Sequence, residues 1–328
     1  MEKVLSISIA AYNLGNLLCE CLDSFAQCVN KELLEVIVTD DGSADNTLEL
    51  AREYEIKYPG VFKVIAKINE GPGSTVNSGI RNATGKYFKM VDGDDMVITK
   101  NLDEYLLYLK EVDDDLIITD YSEYDNVSKS IMKNHTYDIK SKTTLDFNNI
   151  WDQLLMQMHS LTYKTNILQA NNIILDNGFY TDIEYALYPL PYVKNVSYFP
   201  KVIYVYRLGQ EEQSVNPKQQ LKHLDQHTEV LNNLLQYIKD NNLFDFEHLS
   251  CYKNRVGLML LSEIRLLLCL PNSDETKNKI IDYVRYCKND KIYYKNIKKS
   301  RSIRLLINSN FLLYNFIGNA LKRKFGLQ

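Results

Sequence analysis

Over its first 120 residues the chain alternates short β-branched runs with amphipathic stretches, and this alternation restricts the fold more than any other feature. Leu5 to Ala11, Leu34 to Thr39, Phe62 to Lys67, Tyr87 to Val91 and Leu116 to Thr119 have the length and side chains of strands. Between them, Leu14 to Cys28, Asn46 to Lys57, Ser74 to Ala83 and Lys100 to Glu111 have the length and apolar spacing of helices. Strand, helix, strand, repeated, predicts an α/β fold: a Rossmann-like mixed, mainly parallel sheet with helices on both faces. Ligands of such sheets sit beyond the carboxyl ends of the strands. The polar clusters fall there, at Tyr12-Asn13, Asp40-Asp41-Gly42-Ser43, Asn69-Glu70-Gly71 and Asp92-Gly93-Asp94-Asp95.

Beyond Asp120 the regularity fades. Tyr121 to Lys142 is polar and turn-rich, as in a hairpin or a long loop, and Phe147 to Met158 has a helical pattern. Val196 to Phe199 and Val202 to Arg207 read as a strand pair around Pro200-Lys201. From Pro217 onward Lys218 to Asp240, Cys251 to Leu270 and Lys277 to Lys288 carry apolar residues at helical spacing. The expected boundary near Asn216-Pro217 gives a first domain over 1–216 and a helical C-terminal region over 217–328.

Composition removes several classes. With 45% hydrophobic and 24% charged residues the chain can bury a large core and is neither disordered nor collagenous. No stretch reaches the ~20 apolar residues of a spanning helix. The opening MEKVLSISIAAYN reads as a first strand rather than a signal peptide, so a cytoplasmic protein is expected. The six cysteines form no C-x-x-C pair and read as free thiols, and His223 and His227 lack the Glu of a zinc-protease motif and read as solvated helix residues. Residues 288–328 hold ten Lys/Arg against the single acid Asp290, a local +9 that leaves −13 on residues 1–287. An acidic body with a basic, aromatic tail disfavours nucleic acid and suits an anionic membrane surface, although a solvated face or a helical oligomerisation element has the same composition.

Two acidic clusters point to chemistry. In EVIVTDDGSADNT, Asp40 and Asp41 end a strand, where a carboxylate can accept from a nucleobase N–H or a ribose hydroxyl; a well-formed turn would read the same way. In MVDGDDMV three Asp lie within four residues behind a hydrophobic strand, costly without a cation or strong donors. Hard oxygen ligands on a short loop select Mg2+ or Mn2+, completed by substrate phosphates. Gly71-Pro72-Gly73-Ser74-Thr75 lacks the Gly-Lys-Ser/Thr of a phosphate loop, and no G-x-G-x-x-G follows the first strand, which disfavours a nicotinamide cofactor.

Taken together, SISIAAYN, TDDGSADNT, NEGPGSTVNSGIRNATGKYFKMVDGDD, YTDIEYAL and IYVYRLGQEEQSV, in that order over residues 1 to 215, resemble the family 2 glycosyltransferases. The resemblance implies a GT-A fold and a metal-dependent, inverting hexosyl transfer from a UDP-sugar to an acceptor hydroxyl of a glycan or lipid-linked intermediate in surface polysaccharide synthesis. Carried over, Asp41 would read the uracil with Tyr12 and Asn13 beside it. Ala10, Asn69, Asn77 and Gly93 would complete the donor pocket. Asp92 and Asp94 match the D-x-D pair, Asp94 binding Mn2+ or Mg2+ directly and Asp92 the ribose or the ion's outer shell. Asp182 stands where the family has its catalytic carboxylate, able to take the acceptor's proton; by itself it could be a helix N-terminal acid. His159 would face the acceptor or the phosphates, and Arg207 and Ser214 would belong to a loop closing over the donor. The chain departs from the pattern at Ala10-Ala11, where a proline is common, at Thr75-Val76-Asn77-Ser78-Gly79, where an arginine is missing, and at Thr181, where Glu is frequent.

The tail adds two expected partners, the inner face of the cell membrane or a second copy of the chain in a homo-oligomer. A catalytically silent nucleotide-sugar-binding partner of another transferase is the alternative to an enzyme, opposed by the joint presence of Asp92, Asp94 and Asp182. A nucleotidyltransferase lacks support, since SISIAAYNLGN has no glycine-rich basic segment.

Overall fold

A computed structural model describes residues 2–137, 139, 156–209, 217–244 and 248–327, which divide into two compact units over 1–210 and 211–328. The helical pattern at 147–158 lies, except for its last three residues, outside the described residues, as does Ser214.

In the first unit, β1 (Leu5–Ala11) pairs in parallel with β2 (Leu34–Asp40) and β4 (Tyr87–Asp92), and β2 with β3 (Phe62–Ala66). Every residue of β2 is buried, as expected of a parallel strand covered on both faces. The cover comes from α1 (Asn16–Ala26), α2 (Thr47–Lys57), α3 (Pro72–Asn82) and α4 (Thr99–Glu111). α1 buries Leu18, Cys21, Leu22, Phe25 and Ala26, one stripe at three- and four-residue spacing. Fully burying a Leu or Phe there stabilises by roughly 1.5–3 kcal/mol. α3 lies so close to β1 that a Cβ on Gly79 would sit 2.0 Å from Ser8 Oγ.

The other half of the sheet is mixed. β8 (Leu161–Lys164) runs antiparallel to β4 and to β6 (Leu116–Asp125); β9 (Val196–Leu208) is parallel to β6, and β5 (Met96–Val97) antiparallel to β9. The whole is an α/β mixed sheet in the order β3-β2-β1-β4-β8-β6-β9-β5 with flanking helices. The strand pair expected around Pro200-Lys201 is a single strand. Its register against β6 jumps from Thr119–Phe199 to Asp120–Val202, a bulge that accommodates a proline unable to donate to the ladder. The polar segment after Asp120 is a hairpin: the Asp125 carboxylate accepts from the Val127 and Ser128 amides and turns β6 into the exposed edge strand β7 (Ser130–His135). Two further helices follow, α5 (Thr165–Ala170) and α6 (Thr181–Leu187), the second opening on the acidic Thr181-Asp182 segment.

The second unit is helical. α7 (Pro217–Lys222) and α8 (Leu224–Asp240) replace the one helix expected over 218–240. α9 (Leu249–Leu267) packs against α8, α10 (Asp274–Lys288) and α11 (Lys291–Ile297), and α12 (Arg301–Asn308) and α13 (Tyr314–Lys324) follow. Ser273, Asp290 and Ser300 cap α10, α11 and α12 by accepting from first-turn amides. His227, read from sequence as solvated, is buried with Nδ1 2.5 Å from Glu263 Oε2. A His and a Glu on facing helices satisfy each other in a core where either alone would be costly. All six cysteines are free thiols, five of them buried.

Candidate active site

The site lies where β1, β2 and β4 end together: Ala11 aligns with Asp40 and Ala10 with Asp92. At that edge the loop after β1 is tied to the loop after β2. Asn13 donates its N–H to Ser43 Oγ (3.0 Å) and accepts from the Ala44 amide at Oδ1 (2.8 Å), while the Leu14 and Gly15 amides donate to Thr47 Oγ1 (2.9 and 3.0 Å). Asn13 adopts a left-handed φ of 50°, a conformation Asn tolerates, and leaves Tyr12 exposed at the edge of the crevice.

Asp41 does not present an open carboxylate. It is 3% exposed and accepts from Lys67 Nζ (2.7 Å), the Glu70 amide (3.0 Å) and the Gly71 amide (2.9 Å). Asp41 thus anchors the 67–71 loop at the strand edge where base reading is expected. Asn69, exposed within that loop, has its amide nitrogen 3.0 Å from where a Cβ on Gly42 would lie. The Asn77 side-chain amide donates to the Leu175 carbonyl (2.7 Å) and accepts from the Leu175 amide (2.9 Å). Buried and engaged at both ends, it clamps α3 to the segment leading into α6.

The acidic loop after β4 gathers three carboxylates. Asp92, Asp94 and Asp95 each place an oxygen within 4.8 Å of the others. Gly93 permits this, because a Cβ would lie 2.7 Å from the Ala10 carbonyl and 2.4 Å from Leu14 Cδ1. Asp95 is fully enclosed and accepts from the Tyr204 hydroxyl (2.5 Å) and the Arg207 amide (2.7 Å), fastening the loop to β9. Asp92 and Asp94 stay half-buried at the crevice. Burial, then the charges of Asp94 and Asp182, push the Asp92 carboxyl up; burial raises Asp94 too, opposed by the Arg207 guanidinium. Among the described residues no Lys or Arg forms an ion pair with Asp92 or Asp94. Uncompensated carboxylate oxygens at this spacing fit a hard divalent cation.

Asp182 sits in the first turn of α6, close enough for its charge to bear on Asp92 and Tyr206. The approach of α6 to α3 depends on glycine: a Cβ on Gly73 would lie 1.7 Å from the Asp176 carbonyl, and one on Gly71 2.1 Å from that of Asn177. Glu184, two residues on, is fully buried and accepts from the Asp176 amide (2.7 Å) and the Tyr188 hydroxyl (3.0 Å). Burial and the neighbouring Asp176 raise its carboxyl to about 8.

His159 occupies a single tight turn before β8 and stacks on Tyr206 (ring centroids 4.6 Å, 29°), with Tyr204 edge-on at 4.7 Å. Its carbonyl accepts from Lys89 Nζ at 2.8 Å. Lys89 is enclosed within β4, and burial lowers its ammonium to about 7. Arg207 is buried at the end of β9, its guanidinium bonded to Glu20 (2.8 Å) and Asn126 (3.2 Å). Lys89 and Tyr204 escaped the sequence reading. A lysine amid apolar strand residues and the Tyr-x-Tyr-Arg run were their only signals.

This arrangement has close relatives. Residues 6–172, half of the chain, match the model of Glycosyl transferase family 2. The poly(ribitol-phosphate) beta-glucosyltransferase of Bacillus spizizenii is 30% identical over 185 residues, covering 54% of this chain and 29% of that protein. Glycosyltransferase GlyG of Streptococcus pneumoniae is 31% identical over 125 residues, 38% of this chain and 41% of that one, so the chain spans less than half the length of these two relatives. Among solved structures, S. aureus TarS 1-349 superposes with a TM-score of 0.57 at 18% identity, over 94% of this chain and 92% of that chain. The mannosyltransferase PcManGT of Pyrobaculum calidifontis, in complex with GDP-Man and Mn2+, superposes with a TM-score of 0.54 at 14% identity, over 98% and 87%. The fold is thus that of GT-A transferases, and with the family model spanning the strands that build the acidic crevice, the chain belongs to glycosyl transferase family 2.

Proposed function

We propose that the protein transfers a hexose, with inversion, from a UDP-sugar to a hydroxyl of a glycan acceptor, one carried on a lipid at the inner face of the cell membrane. The observation that carries this reading is the convergence of Asp92 and Asp94 at the end of β4, with Asp182 at the start of α6 near enough for its charge to act on Asp92. The named activity of the Bacillus relative and the UDP-GlcNAc bound in a TarS structure support a nucleotide-sugar donor.

In this reading Tyr12 and Asn13 line the base pocket, and Asp41 shapes it by holding the 67–71 loop. Asp94 and Asp92 would hold Mn2+ or Mg2+, which when bound offsets negative charge on the diphosphate leaving group. Asp182 accepts the acceptor's proton as its oxygen attacks the anomeric carbon from the face opposite the diphosphate, which inverts that centre. Asp95, Tyr204, Asn77 and Glu184 position these groups without touching the substrate. The 1–216 and 217–328 division assigns the chemistry to the first part.

The test is nucleoside diphosphate released from UDP-, GDP- and CMP-sugars (CMP for the last) with Mn2+, Mg2+ or EDTA. Turnover of one UDP-sugar that EDTA abolishes is expected. Failure to bind UDP at all would overturn the assignment.

A further inference from the structure

We propose that the α12–α13 hairpin is a docking surface for an anionic lipid bilayer. Among the described residues no helix is long and apolar enough to cross a membrane. In α12 the sides separate cleanly. Ile303 and Leu306 face the core, whereas Arg301, Arg304 and Leu305 are exposed at three- and four-residue spacing on the opposite side. α13 does the same, burying Tyr314, Ile317 and Gly318, with Gly318 close against Leu268 and Asn272, and leaving Phe316 outward.

Between the helices two consecutive residues, Asn310 (φ 49°) and Phe311 (φ 64°), are left-handed. For an aromatic residue that conformation is uncommon and costs backbone energy. Its result is a turn that leads straight into Leu312 and Leu313, 85% and 41% exposed, with Leu305 and Phe316 at 56% and 72%. Leu312 also borders a pocket that it shares with Ser273, Asp274 and Lys277.

The charge chooses the occupant. The 288–328 segment carries +9 in a chain whose remainder carries −13. Its one acid, Asp290, is spent on the N-terminus of α11 and on Lys253 (2.9 Å). Among the described residues Arg301 and Arg304 are in no ion pair. A second copy packed symmetrically on this face would set like charges against each other. Projecting aliphatic and aromatic groups beside cations match acyl chains beneath anionic headgroups. This surface suits the lipid-linked acceptor of the proposed function, yet its test needs no catalysis.

Full-length protein is sedimented with phosphatidylglycerol/phosphatidylcholine vesicles and with pure phosphatidylcholine vesicles, and UDP binding is measured on the same samples. Binding to the anionic vesicles, weakened by salt, is expected. Leu312→Ser combined with Phe316→Ser should lower it at least tenfold, and Arg301→Glu with Arg304→Glu should lower it roughly fivefold or more per charge, all with unchanged UDP binding. Equal binding to both vesicle types, no binding to either, or full binding by the Leu312/Phe316 double variant would overturn the proposal. So would loss of a dimer in that variant with vesicle binding intact. Loss of UDP binding in the wild type would count against the transferase reading alone.

Discussion

The Tyr204 hydroxyl joins both ends of the acidic loop, donating to Asp95 Oδ2 at 2.5 Å and accepting from the Asp92 amide at 3.2 Å. A phenol anchored in β9 thereby sets where Asp92 and Asp94 open onto the crevice. Tyr204→Phe leaves a buried carboxylate oxygen without its donor, at a cost of about 1–3 kcal/mol. Urea unfolding should show that loss, and a Mn2+ titration should show weaker binding than in the wild type.

Glu184 makes stability depend on pH. Its carboxyl is raised to about 8 in the folded protein from an ordinary value of 4.5, so the folded state holds a proton that the unfolded chain releases. The contribution is complete below the unfolded value and is lost as pH rises through about 8. Glu184→Gln, which mimics the protonated acid, should flatten that fall. At pH 8 it should exceed the wild type by up to a few kcal/mol, on the order set by a shift of this size. Thermal unfolding at pH 5, 6.5 and 8 checks this.

Gly73→Ala tests the seam between α3 and α6. The added methyl would meet the Asp176 carbonyl at 1.7 Å, a backbone atom that cannot swing aside. A loss of about 1–3 kcal/mol is expected from such overpacking. Because the seam positions Asp182, kcat should fall further than donor KM rises.

Asn77→Leu keeps the branching and heavy-atom count of the side chain and removes both of its bonds to Leu175. Two buried backbone groups lose their partners, at about 1–3 kcal/mol each. Chemical denaturation measures the loss. UDP affinity in the folded variant should stay within roughly threefold of the wild type, because a clamp on α6 does not touch the base pocket.

The parallel half of the sheet was legible in the sequence because each strand there is a β-branched run followed by its own helix: Leu5 to Ala11 is β1 without change. The antiparallel half was harder, since β5 has two residues and β9 carries a proline that looks like a turn. Motif order identified Asp92, Asp94 and Asp182 as neighbours across more than 80 positions of sequence, which periodicity alone cannot do. What stayed hidden were the hydrogen-bond partners: the bonds of Asp41 to Lys67 and Gly71 and of Asn77 to Leu175 are fixed only by tertiary packing. His227 was misread for the same reason, its partner Glu263 lying 36 residues away.

The central claim is that Asp182 takes the proton while Asp92 and Asp94 hold the donor through a divalent ion. The most direct measurement is UDP-sugar turnover and UDP affinity, with Mn2+, in the wild type, Asp182→Asn and Asp94→Ala. Asp182→Asn should lose roughly 10²–10⁴-fold in kcat with UDP affinity retained, and Asp94→Ala should lose both turnover and the dependence of UDP binding on metal. An Asp182→Asn enzyme that turns over at the wild-type rate would contradict the account.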